Sequence, residues 1–180
     1  MKLWAGTKRI CVLATAVVLV AVSCVWAQET RAGEWKAATD AELRSVIPAR
    51  APVVQERIET EMRSASGITN GQGKYIAGVV LITAGYSAEG KYSHFLLTQV
   101  PLKLGDDIRL APGNYLIGYA HGEDGLAVHL YEAATGRLLG TVTATLIPGI
   151  TRVEEIRIWP PSDRHMIQIG RFGFSYQIGG

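Results

Sequence analysis

Four histidines, His94, His121, His129 and His165, are the first residues to weigh, because two or three of them with a carboxylate would hold a transition metal. One pair can be tested on paper. A four-residue loop centred on Glu123 and Asp124 sets His121 opposite Leu126 and His129 opposite Gly118, and in that register His121 and His129 point to opposite faces. They cannot chelate together without a bulge. Glu123 and Asp124 between two glycines, and Asp106 and Asp107 after Gly105, offer oxygens for calcium but lack the ligand alternation of a calcium loop and read as turn formers. Ser93 and His94 are neighbours, which in a strand would face opposite ways and so would not pair as nucleophile and base. The chain has no G-x-S-x-G elbow, and Gly71-Gln72-Gly73-Lys74 lacks the following helix that would cradle a phosphate. No pair of carboxylates stands out for glycoside chemistry. The expectation is no catalytic residue, no metal ligand and no cofactor.

Aromatic rows carry more information. Tyr115, Ile117 and Tyr119 share one strand face, opposite Leu126, Val128 and Leu130, and Phe172, Phe174 and Tyr176 share another, so both rows are expected in a core. A binding surface, if present, is expected on the loops 85–91 and 122–125 or on the strand edge near Pro101, with Tyr86, Tyr92, Glu123 and Asp124 as candidate binding residues.

The elements that must position these residues are mostly strands. Thr39-Asp40-Ala41-Glu42 is a capping box, followed by Leu43, Val46 and Ile47 on one helical face and stopped by Pro48, which predicts a short helix over 40–47. The stretch 53–65 fits helix by Val54, Ile58 and Met62 and strand by its alternating charges; the Asn70-Gly71 turn signal beyond it favours a strand. Residues 76–84 are an unbroken apolar run, the mark of a central strand buried on both faces. Further strands are expected over 92–104, with Pro101 marking an edge or bulge, and over 114–121, 126–133, 137–147, 152–159 and 165–178, with a type II turn at Ala111-Pro112-Gly113-Asn114. These predict an all-β fold: a single antiparallel β-sandwich of seven or eight strands, Ig-like or transthyretin-like, with one short N-terminal helix.

The 180 residues carry 18 Lys and Arg and 16 Asp and Glu, but the first 27 hold Lys2, Lys8 and Arg9 and no acid. A basic start, the apolar run 10–27 and the small residue Ala27 after Val25-Trp26 are the layout of a secretory signal peptide, cleaved before Gln28. Lipidation of Cys24 and retention of the run as a membrane anchor are the alternatives, and a membrane partner is expected only in those two cases. Three segments result: a signal peptide over 1–27, a flexible lead-in with the helix over 28–52, and the sandwich over 53–180. Both cysteines, Cys11 and Cys24, fall in the first, so no disulfide is expected in the mature chain. Removing the leader leaves a net charge of −1, which excludes nucleic acid as an expected partner.

The stretch GVVLITAGYSAEGKYSHFLLTQVPLKLG with LAPGNYLIGY and LAVHLYEAATGRLLGTV resembles small exported bacterial proteins of no established function, over about two thirds of the mature chain. LAPGNY and YEAATGRLLGTV are also similar to phrases of transthyretin-like and carboxypeptidase-regulatory-like sandwiches, modules that bind or brace. The resemblance implies no site residues. The function expected is therefore a non-catalytic binding or envelope-structural module, exported to the periplasm, outer envelope or medium, its partner a protein or polysaccharide of the cell envelope. A secreted hydrolase of extracellular polymer is the alternative, and a metal-binding protein the third class.

Overall fold

The computed structural model describes residues 34–179; the leader, both cysteines and the start of the lead-in lie outside the described residues. The chain enters as β1 (Lys36–Ala37), which pairs with the far end of β3, so this part of the lead-in is sheet. Helix α1 (Asp40–Val46) follows with both halves of its capping box formed: the Glu42 amide donates to Thr39 Oγ1 and the Thr39 amide to Glu42 Oε2 at 2.8 Å. The Thr39 amide, and its hydroxyl beside it, donate to the Glu42 carboxylate and hold it below its ordinary range. The hairpin β2 (Arg50–Val53) and β3 (Glu56–Thr69) comes next, then β4 (Tyr75–Leu81), β5 (His94–Thr98), β6 (Leu102–Leu104), β7 (Ile108–Leu110), β8 (Gly113–His121), β9 (Leu126–Glu132), β10 (Leu138–Leu146), β11 (Glu154–Ile158), β12 (Met166–Gly170) and β13 (Phe172–Ile178).

The strands form one antiparallel path, β1-β3-β4-β5-β8-β9-β10-β13-β12-β11, with β2 on β3 and the β6–β7 hairpin on β13. The path curls until its last strand, β11, packs against β3 and β4, which makes the molecule nearly barrel-shaped. The all-β, antiparallel reading and the single short helix hold. A sandwich of seven or eight strands is not confirmed, since the described residues hold thirteen strands. Two expected strands are each broken in two. Gly170 takes a left-handed φ of 62°, open to glycine at little cost, and with Arg171 it folds 165–178 into the hairpin β12–β13. The stretch 92–104 leaves β5 after Thr98, bends at Gln99 and Val100 just before Pro101, and continues as β6 on a different neighbour. The type II turn expected at 111–114 is also absent: Gly113 has no positive φ and pairs with Thr98 in β8, while Tyr115 Oη donates to the Ala111 carbonyl at 2.7 Å.

Two apolar clusters hold the fold together. Inside the barrel lie Ile68, Ile76, Leu96, Ile117, Val128, Phe174, Tyr176 and their neighbours. Outside it, Leu43 and Ile47 of α1, Val53 of β2 and Ala88 and Tyr92 of the β4–β5 loop cover Ala77, Val79, Phe95 and Leu116. The sheet β3-β4-β5-β8 is thus buried on both faces, which is why β4 reads as an unbroken apolar run. In β3 a bulge between Glu61 and Ser66 inverts the faces: Ile58 belongs to the outer cluster and Ile68 to the inner one, although both are even-numbered. The strand reading of 53–65 holds from Glu56 onward; Val53 ends β2 and residues 54–55 form the turn between the two strands.

Among the described residues no helix is long and apolar enough to cross a membrane.

Candidate functional site: a polar groove over the barrel seam

Where β11 meets β3 the ladder of main-chain hydrogen bonds stops and side chains take over. The bulge leaves residues 62–65 of β3 without a strand partner. The Val80 amide donates instead to Ser64 Oγ at 3.0 Å, and the Ile158 amide crosses the seam to Ser66 Oγ at 2.9 Å. Close approach here needs Gly78, since a Cβ at that position would stand 2.6 Å from Ile156 Cδ1. Over this seam lies an open groove of about 600 Å³, walled by residues 63–67 of β3 and 152–160 around β11, with Asp40 and Leu43 of α1 at its side.

Its walls carry charges of both signs. Arg152 Nε and Arg157 Nη1 share one carboxylate oxygen, Glu154 Oε1, at 3.1 and 3.3 Å, and Arg63 pairs with Glu61 at 3.1 Å. Asp40, Glu155 and Asp163 also line the groove and form no ion pair among the described residues. At one end stands Trp159. Its Nε1 donates to the buried Gln168 Oε1 at 2.9 Å, its carbonyl accepts from Tyr176 Oη at 2.7 Å, and the guanidinium carbons of Arg157 and Arg164 lie 4.0 and 5.0 Å from its ring centre. The loop behind it turns through His165, whose left-handed φ of 55° is sparsely populated for a histidine, and the His165 ring meets Tyr176 edge-on.

The histidines do not form a metal site: among the described residues no three His, Cys, Asp or Glu side chains cluster at metal-binding distance. His121 and His129 face opposite ways, in the expected register, with His129 bonded to Thr141 Oγ1 on the outer face. His94 lies inside one end of the barrel, 3% exposed, near the half-exposed Tyr119. Ser93 and His94 do pair, with Oγ 2.8 Å from Nδ1, against the expectation that neighbours in a strand point apart. The reason is that β5 begins at His94, so Ser93 lies outside the alternating stretch. His94 Nε2 donates to the Glu155 carbonyl at 3.1 Å, which leaves Nδ1 an acceptor that competes with the Ile117 carbonyl, 3.0 Å away, for the single Ser93 hydroxyl proton. Burial lowers the His94 pKa to about 4, against a smaller opposing effect of the Glu155 carbonyl. The bond from Nε2 ties β5 to β11.

The four candidate binding residues are not brought together. Tyr92 is 5% exposed, edge-on to Tyr131 with ring centres 5.1 Å apart and with the Lys91 ammonium beside both rings. It belongs to the outer core. Tyr86 is half-buried against the same cluster, and its hydroxyl accepts from Arg50 Nη2 at 3.3 Å. Glu123 and Asp124 are exposed in the β8–β9 turn. Under that loop a smaller cavity contains Glu56, whose Oε1 accepts from Ser87 while the enclosed Oε2 has no partner. Neither Trp159 nor the acidic and basic residues of the seam were singled out from the sequence, because their meeting depends on a contact between positions 66 and 158 that no local pattern encodes.

No family model, curated protein or solved structure matches the chain.

Proposed function

We propose that the mature chain is an exported, non-catalytic binding or envelope-structural module that holds a component of the cell envelope, polysaccharide or protein, in the groove over the barrel seam. The observation that carries this reading is the groove itself: hydrogen-bonding side chains of both signs line a stretch where the sheet closes through side chains rather than through its main-chain ladder. Trp159, held by two hydrogen bonds, gives one end of those walls a fixed geometry, and a preset surface loses less entropy on binding than a mobile one. The export layout of residues 1–27 and the resemblance to small exported proteins and bracing modules support the envelope as the setting. Acylation at Cys24 is the tethered form of the same reading.

Hydrolysis of an external polymer is the second reading, and the Ser93–His94 pair is the observation in its favour. Incubation of the purified mature chain with envelope polysaccharides separates the two. Retention in fixed proportion without shortening of the polymer supports the binding module; chain shortening that Ser93→Ala abolishes would replace it with the hydrolase.

A further inference from the structure

We infer that the seam groove takes an uncharged, hydroxyl-rich glycan chain, not a peptide strand and not an acidic polymer. The inference rests on reading the groove as the binding surface, and it names the class of ligand.

A peptide strand would have to enter between the edges of β3 and β11, which would then stand two strand spacings apart, about 9.6 Å. The Ser66 hydroxyl reaches the Ile158 amide at 2.9 Å, so the edges are only one side chain apart and leave no slot. The bulge and the exposed Arg63 on the β3 edge further oppose strand addition. An acidic polymer needs free cations. The charges of Arg63, Arg152 and Arg157 are each balanced by a carboxylate and Arg164 packs beside the Trp159 ring, while Asp40, Glu155 and Asp163 line the groove without an ion pair among the described residues and would repel a polyanion.

What the walls offer is many acceptors and donors with little surplus charge. Carboxylates accept from paired hydroxyls and guanidinium groups donate to their oxygens, each in a planar, two-pronged geometry that vicinal hydroxyls can meet. Trp159 adds apolar surface at the end of the run. The groove's volume of about 600 Å³ lies inside the range of about 300–1,000 Å³ usual for ligand clefts.

The test uses the mature chain and three soluble probes, an uncharged β-glucan, polygalacturonate and chitosan, in affinity electrophoresis and calorimetry at moderate salt. The uncharged glucan should be retained, and Glu155→Gln combined with Asp163→Asn should weaken its binding at least tenfold while leaving the circular dichroism spectrum and melting temperature unchanged. Arg63→Ala is the second variant, at a side chain 88% exposed and so neutral to folding, and should also weaken it. Tighter binding of polygalacturonate or of chitosan than of the glucan would overturn the ligand class while leaving the groove as the surface. Retention of an envelope protein instead, sensitive to the same variants, would do likewise. Glucan binding that none of the three substitutions alters would overturn both the ligand class and the groove.

Discussion

Acidification from pH 7 to pH 4 should unload stability through His94, and the size of the loss follows from its surroundings. The ring is enclosed by the end of the barrel, with Ser93 Oγ at Nδ1, the Glu155 carbonyl at Nε2 and the Tyr119 ring 6.1 Å away, and among the described residues no carboxylate pairs with it to stabilise a second proton. Its pKa falls from 6.5 to about 4 in the folded chain because burial disfavours the imidazolium. Above pH 6.5 both folded and unfolded chains hold the neutral ring, and the stability from this group is complete. Between pH 6.5 and about 4 only the unfolded chain takes up the proton, so stability declines as pH falls, by about 3 kcal/mol in all, and this group adds nothing further below that window. Urea unfolding followed by tryptophan fluorescence at half-unit pH steps reads the slope directly. His94→Gln keeps a donor and an acceptor at the site but cannot titrate; it should lower the midpoint at pH 7 and flatten the curve between pH 6.5 and 4.5. The reasoning fails if the variant keeps the wild-type slope, or if an NMR titration places the His94 ring near its ordinary pKa.

Substitutions at three places test the packing and the backbone. Val54 opens the β2–β3 turn with a left-handed φ of 56°, strained for a β-branched residue, so Val54→Gly should raise the urea midpoint, a gain of up to about 1 kcal/mol after the extra chain entropy of glycine. Gly78→Ala should cost about 1–3 kcal/mol by forcing Ile156 Cδ1 from its place, and Ile156→Val in the same chain should recover part of that loss; additive costs would show that the contact is not what limits position 78. Tyr92→Ala should destabilise by about 3 kcal/mol in thermal or urea melts because the ring is core, whereas Tyr86→Ala should cost markedly less; equal effects would contradict the burial difference.

Local patterns carried the parts of the structure that depend on neighbours in sequence. The capping box at Thr39 and Glu42, the both-faced burial of β4 and the pairing of His121 with Leu126 and of Gly118 with His129 each follow from spacing within a few residues, and each is present. The row Phe174 and Tyr176 is interior as its period required, with Phe172 half-buried at the rim. What was not legible depends on chain geometry at a distance. A period of two is common to a sandwich and a barrel, so the curling of one path onto β3 left no local mark. The Gly170-Arg171 turn sits inside a continuous alternation and shows itself only through the positive φ. Tyr92, aromatic and beside a glycine-rich loop, looked like a contact residue because nothing near it announces that Leu116 and Tyr131 close over it. The groove is the extreme case: Ser66 and Ile158 are separated by most of the domain, and the polar residues around them acquire a common purpose only when the seam forms.

Amide chemical-shift mapping of the mature chain, titrated with an uncharged β-glucan, tests the binding surface most directly. Saturable shifts should be confined to residues 63–67 and 152–163, with the Trp159 indole resonance among the largest. Shifts concentrated instead in the loops 85–91 and 122–125, with residues 63–67 and 152–163 silent, would contradict the groove as the site.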